Sequence, residues 1–188
     1  MQNRKFNNIA FIGGIHGVGK SSVCRQLCIN NKITCLSASG LLKWSDMNKD
    51  KRNKNVTDIP MTQNRLIDGL NHTIKSDTFY LLDGHYCLLN SEMKVVKVPK
   101  ITFLEINPVA LYVIVGDCQE VRKKLEERDQ RPYDLSLLDE MQRNEVAYAK
   151  ELATSLNLVL ETGDIADFFN IQKSLNQIAA NYGRITGH

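Results

Sequence analysis

One stretch, residues 8–27, constrains the fold more tightly than any other. Asn8-Ile9-Ala10-Phe11-Ile12 is short, apolar and ended by Gly13, the pattern of a strand buried on both faces. Gly14-Ile15-His16-Gly17-Val18-Gly19-Lys20-Ser21 then fills G-x-x-x-x-G-K-[ST] without a mismatch. Glycines at these places let the backbone turn so that successive N–H groups converge. A helix that starts near Lys20, marked by Val23, Leu27 and Cys28, adds its positive N-terminal end. Converging amides, a lysine and a hydroxyl are what a triphosphate and its magnesium ion require. MgATP is therefore expected on Gly14, Ile15, His16, Gly17, Val18, Gly19, Lys20, Ser21 and Ser22, with Lys20 on the β- and γ-phosphates and the Ser21 hydroxyl on Mg²⁺.

The remaining chain alternates short apolar runs with helical patterns. Residues 33–37, 78–82, 110–115 and 158–160 read as four further strands. A helix is expected after Ser37 or Ser39, and another over residues 62–74, where Leu66, Ile67, Leu70 and Ile74 recur at helical spacing. Residues 46–60 are polar and aperiodic, a loop. Asn90-Ser91-Glu92 suggests a hairpin projecting from the main sheet. Asp117 caps a helix to about Arg128, Leu138, Met141, Glu145, Ala149 and Leu152 mark a long one, and Asp164 or Asp167 opens the last, ending near Gly183. Five strands alternating with helices imply an α/β fold, a five-stranded parallel sheet with helices on both faces and a hairpin insertion, and the glycine motif after the first strand marks it as a three-layer P-loop NTPase arrangement. Ligands of such sheets sit beyond the carboxyl ends of the strands, where the third strand delivers Asp83.

With 188 residues, 43% hydrophobic and 24% charged, the chain reads as one domain over 1–188 with an ordinary core. A net charge of +3 neither demands nor excludes nucleic acid. The basic run from Lys49 to Lys54 is interrupted and lacks aromatic residues, which suits a solvated loop. Five scattered cysteines argue for reduced thiols and a cytoplasmic protein. Cys24 and Cys28 share a helix face without the further ligands a zinc ion needs. No stretch approaches the roughly 20 apolar residues of a membrane span. A protein partner is left open, and the oligomeric state is not legible.

The order of these pieces resembles the nucleoside monophosphate kinases of the P-loop superfamily, most of all adenylate kinases of the archaeal type. In that resemblance residues 38–76 form the acceptor-nucleotide segment and residues 128–136 a short lid. Ser39-Gly40 is similar to the start of the acceptor site, with Lys43 and His85 as further acceptor contacts. Asp83-Gly84-His85 looks like the acidic strand end that helps hold Mg²⁺ through water. Lys124-Leu125-Glu126-Glu127-Arg128 fits [KR]-L-x-x-R, which implies Lys124 against the donor adenine and Arg128 on phosphates, with Arg131 in the lid and Arg143 on the next helix. Two positions depart from the family pattern: His85, Tyr86 and Cys87 stand where many members place an arginine, and Lys43 replaces another. A point charge there substitutes for a bidentate grip.

Transfer between two anionic nucleotides is a problem of placing like charges together and excluding water. Lys20, Arg128, Arg131 and Arg143 are the cations expected to do so. An acceptor phosphate, with a second pKa of about 6, needs no general base. A hydroxyl acceptor usually wants a carboxylate, and Asp83 is the one available at a strand end. The expected activity is a nucleoside monophosphate kinase. The alternatives are a P-loop kinase of a hydroxylated metabolite or nucleoside, and an ATP-binding switch or assembly factor with slow hydrolysis.

Overall fold

A computed structural model describes residues 6–29, 33–48, 59–164 and 167–186. Five parallel strands, β1 (Ile9–Gly13), β2 (Ile33–Ser37), β3 (Phe79–Asp83), β6 (Ala110–Ile114) and β7 (Val159–Gly163), form one sheet in the order β2-β3-β1-β6-β7. The strands alternate their apolar side chains between two cores. Ala10, Ile12, Leu81 and Tyr112 face α1 (Lys20–Ile29), α5 (Cys118–Asp129) and α7 (Phe168–Thr186). Ile9, Phe11, Leu82 and Val113 face α2 (Ala38–Asn48), α3 (Ile59–Thr73), α4 (Lys100–Ile106) and the latter half of α6 (Leu135–Leu156). Burial on both faces explains why the side chains of β1 and β6 are apolar apart from the Tyr112 hydroxyl, which pairs with Ser174.

Register places the functional ends side by side. Ile12 pairs with Asp83, and Asp83 with Ser37, so the phosphate loop, the acidic strand end and the start of α2 meet at one edge of the sheet. The chain runs to one side of β1 for β2 and to the other for β6, and the loop after β1 sits at that reversal.

Several expectations need correction. The loop over residues 46–60 is shorter, because α2 runs to Asn48 and α3 begins at Ile59; residues 49–58, including the basic run, lie outside the described residues. The hairpin of β4 (Cys87–Leu89) and β5 (Val95–Lys97) is separate from the main sheet, yet it packs on α6 rather than projecting. Tyr86 and Cys87 at its base are fully buried, and Lys97 Nζ lies 4.8 Å from the centre of the Tyr148 ring. Helix α4 escapes sequence analysis altogether. Its seven residues follow Val95-Val96-Lys97-Val98-Pro99, which reads as strand and breaker, and burial of Phe103 and Ile106 is what holds it. The last helix begins at Phe168 and runs past Gly183 to Thr186. Cys28 and Cys35 are joined as a disulfide, against the expectation of reduced thiols. The end of α1 and the middle of β2 bring their Cα atoms to 6.1 Å, a proximity that spacing alone does not reveal. No helix among the described residues is long and apolar enough to cross a membrane.

Candidate functional site

The loop between β1 and α1 adopts the strained backbone its glycines permit. Gly14, Gly17 and Gly19 have φ of 137°, 79° and 103°, a region where L side chains are costly. Gly17 also has no room for a side chain, since a Cβ there would come within 2.8 Å of Leu125 on α5. Lys20, 7% exposed, donates to the carbonyls of Gly14 at 2.6 Å and Ile15 at 3.1 Å, which leaves one of its three protons for another acceptor. Burial pulls its pKa down, and the charges of Asp83 and Glu145 partly restore it.

Ser21 Oγ lies 3.5 Å from Asp83 Oδ2, too far for a strong O–H···O bond and suited to two hard oxygen atoms sharing a cation or its water. Burial raises the Asp83 pKa, opposed by Lys20, by His85 and by the Ser21 hydroxyl. The loop, Lys20 and this oxygen pair fit MgATP on residues already expected to hold it.

Glu145 is the residue sequence analysis missed. It is completely buried on α6, and its carboxylate accepts from the amides of Gly14 at 3.0 Å, Tyr86 at 3.0 and 3.1 Å, and Cys87 at 3.0 Å. One side chain thus fixes both the entry to the phosphate loop and the segment after Asp83. The available signal was a carboxylate at an inward position of an otherwise apolar helical pattern, Met141-x-x-x-Glu145-x-x-x-Ala149. Beside it, the His85 ring packs against His16 with centroids 4.3 Å apart, and His85 Nδ1 lies 3.6 Å from Glu145 Oε1. Desolvation within the loop, followed by the charges of His85, Lys20 and Arg128, lowers the His16 pKa to about 4.

A cleft of about 490 Å³ joins these groups to a second half. On the phosphate side it is lined by His16, Gly17, Gly19, Lys20, Ser21, Ser22, Asp83 and Arg128; on the other by Ser37, Ser39, Leu42, Gln63, Leu66, Thr102 and Phe103, with His85 between. Ser37 Oγ accepts from the Gly40 amide at 3.3 Å and caps α2, while Ser39 faces the cleft. Of the expected cations, Lys20 and Arg128 reach this cleft. Arg128 holds a bidentate contact to Asp129 at 2.6 and 2.7 Å. Arg131 stacks 4.7 Å from the Tyr133 ring centre and donates to its hydroxyl at 2.9 Å. Lys43, Lys124 and Arg143 are exposed and do not line the cleft. Residues 130–134, the centre of the expected lid, make a tight turn between α5 and α6, with Gln130 in the left-handed region and Asp134 capping α6.

A parallel sheet with helices on both faces, a glycine loop at the reversal of strand order and a buried lysine in that loop define a P-loop NTPase-like, kinase-like protein. The chain belongs to the AAA domain family, whose model matches residues 13–142. No curated protein matches it significantly in sequence. Among solved structures it is similar to a gluconokinase from Sinorhizobium meliloti, at 14% identity over 97% of both chains with a TM-score of 0.49. It is likewise similar to an uncharacterized protein from Eubacterium ventriosum, at 14% identity over 92% of this chain and 98% of that one, also with a TM-score of 0.49.

Proposed function

We propose that the protein is an ATP-dependent phosphotransferase that moves the γ-phosphoryl group of MgATP to a nucleoside monophosphate. One observation carries this: a single cleft runs from the phosphate loop to a largely apolar half, with Lys20 and Arg128 in its lining. Its volume, about 490 Å³, lies within the usual range for small-molecule sites. An oxygen of the acceptor phosphate attacks the γ-phosphorus, the bond to the β–γ bridging oxygen breaks, and ADP leaves with that electron pair. Ser21, and Asp83 through water, would hold a magnesium ion, which would supply charge neutralisation at the phosphates. Lys20 and Arg128 stabilise the equatorial oxygens, and the loop amides orient the chain of phosphates. The apolar half excludes water, which would otherwise compete as acceptor.

A hydroxylated small molecule is the second reading, and Asp83 supports it. Its carboxylate is half-buried in the same cleft with a raised pKa, as a base for a hydroxyl proton would be. Incubation with MgATP and a panel of nucleoside monophosphates, nucleosides and sugar acids separates the two. Diphosphate formation at about 1 to 100 per second is expected with at least one monophosphate. Transfer only to a hydroxyl acceptor would replace the first reading by the second, and ATP hydrolysis with no acceptor at all would overturn both.

A further inference from the structure

Two polar side chains in the apolar half of the cleft have no hydrogen-bond partner among the described residues. Gln63 on α3 is 8% exposed and Thr102 on α4 is 1% exposed; Gln63 Oε1 and Thr102 Oγ1 are both buried without a hydrogen bond. Both line the cleft together with Phe11, Leu42, Leu66 and Phe103, whose side chains carry no polar atom. A buried amide oxygen and hydroxyl left unpaired cost stability, so their retention here calls for a ligand that pairs with them. Arg65, the cation nearest them on α3, donates to the Leu42 carbonyl at 3.0 Å and does not line the cleft.

We infer that Gln63 and Thr102 are specificity-determining residues that read the polar edge of the acceptor's heterocyclic base. This rests on the monophosphate reading above. The chemistry of the walls selects the class. A polyol carries hydroxyl groups on every side and would leave most of them unpaired against Phe11, Leu66 and Phe103. A flat heterocycle presents apolar faces to those walls and confines its polar atoms to an edge. The Gln63 amide supplies an acceptor beside a donor, and the Thr102 hydroxyl serves as either, which matches an edge where a ring N–H adjoins an acceptor. The base then lies between α3 and α4, and the acceptor phosphate points to Lys20 and Arg128.

The test measures kcat/KM for the four ribonucleoside monophosphates in the wild type and in Gln63→Leu, Thr102→Val and Thr102→Ser. In both Gln63→Leu and Thr102→Val the preference for the best base should shrink about tenfold, the worth of one buried hydrogen bond, through a higher acceptor KM. Thr102→Ser keeps the hydroxyl and should keep the preference. Calorimetry with MgADP should give wild-type affinity in all three, which also shows that each is folded at the loop. Unchanged base preference in Gln63→Leu and Thr102→Val, with MgADP still bound, overturns the inference and leaves the kinase reading standing. A wild-type enzyme that phosphorylates no monophosphate overturns the monophosphate reading itself and this inference with it.

Discussion

The Glu145 carboxylate accepts the Gly14 amide proton at 3.0 Å across 131 positions of the chain. The same carboxylate takes the amides of Tyr86 and Cys87, so the first residue of the phosphate loop and the segment beyond Asp83 share one buried anchor. Replacing Glu145 by Ala leaves these amides unsatisfied, at about 1 to 3 kcal/mol for each that water cannot reach. A loss near 3 kcal/mol lowers the melting temperature by about 6 to 12 °C for a chain of this size. MgATP affinity should fall as well, because the loop loses its fixed entry. Thermal melting and calorimetry check both, and an unchanged melting temperature would deny Glu145 this role.

Lys20→Ala separates catalysis from folding. The ammonium is buried and its pKa is depressed, so removing it relieves desolvation while losing two bonds to loop carbonyls. Stability should change little, while turnover drops at least about a hundredfold through loss of a transition-state charge partner. Melting and steady-state assays on one preparation give the comparison. Turnover within a few-fold of wild type would remove Lys20 from the mechanism.

On the proposed reading, Asp83 gives magnesium binding a pH dependence. Its pKa is raised by burial, so protonation competes with the cation at a higher pH than for an ordinary carboxylate. Affinity for MgADP should rise with pH through that raised value and then level off. In Asp83→Asn the slope should vanish and the affinity stay low throughout. A wild-type profile shared by the variant would place the titration elsewhere.

His16 contributes to acid sensitivity. Its pKa falls from 6.5 to about 4, so the unfolded chain binds its proton first. Stability owed to the neutral ring is complete above about pH 6.5 and is lost as pH falls from there toward 4. His16→Gln should therefore melt with a shallower decline between those values, and identical declines would contradict the assignment. The expected difference is small, because the ring is exposed on one side.

The Cys28–Cys35 disulfide closes a short loop between α1 and β2. Its reduction should destabilise the protein by about 2 kcal/mol, from the chain entropy regained on unfolding. Melting with and without dithiothreitol measures this, and Cys28→Ser should reproduce the reduced value without responding to the reagent. Equal melting temperatures for oxidised and reduced protein would refute the contribution.

The sheet and its loop were legible because their signals are local. Apolar pentapeptides and a spaced glycine motif announce a buried strand and a turn wherever they occur, and the order of elements then leaves few topologies. The cleft's second half was legible only in part: the resemblance pointed to Ser39 and His85, which line it, but Gln63, Leu66, Thr102 and Phe103 come from α3 and α4, elements with no shared motif. The resemblance put Lys43, Lys124 and Arg143 among the site residues; all three are exposed and none lines the cleft. A side chain's identity says what it can bind, but the helix rotation that points it inward is set by what the opposite face must bury. α4 shows the same limit, since seven residues with weak local preference fold as a helix only because Phe103 and Ile106 are covered by the sheet and α6.

By itself the sequence determined a parallel α/β sheet and a phosphate-binding turn, because glycine conformational freedom and strand periodicity act within a few residues. Only the tertiary structure decided that Glu145 would anchor that turn, that Cys28 would meet Cys35, and that Gln63 and Thr102 would share one cavity. Those are contacts between distant segments, settled by which side chains could be buried together with their hydrogen bonds satisfied.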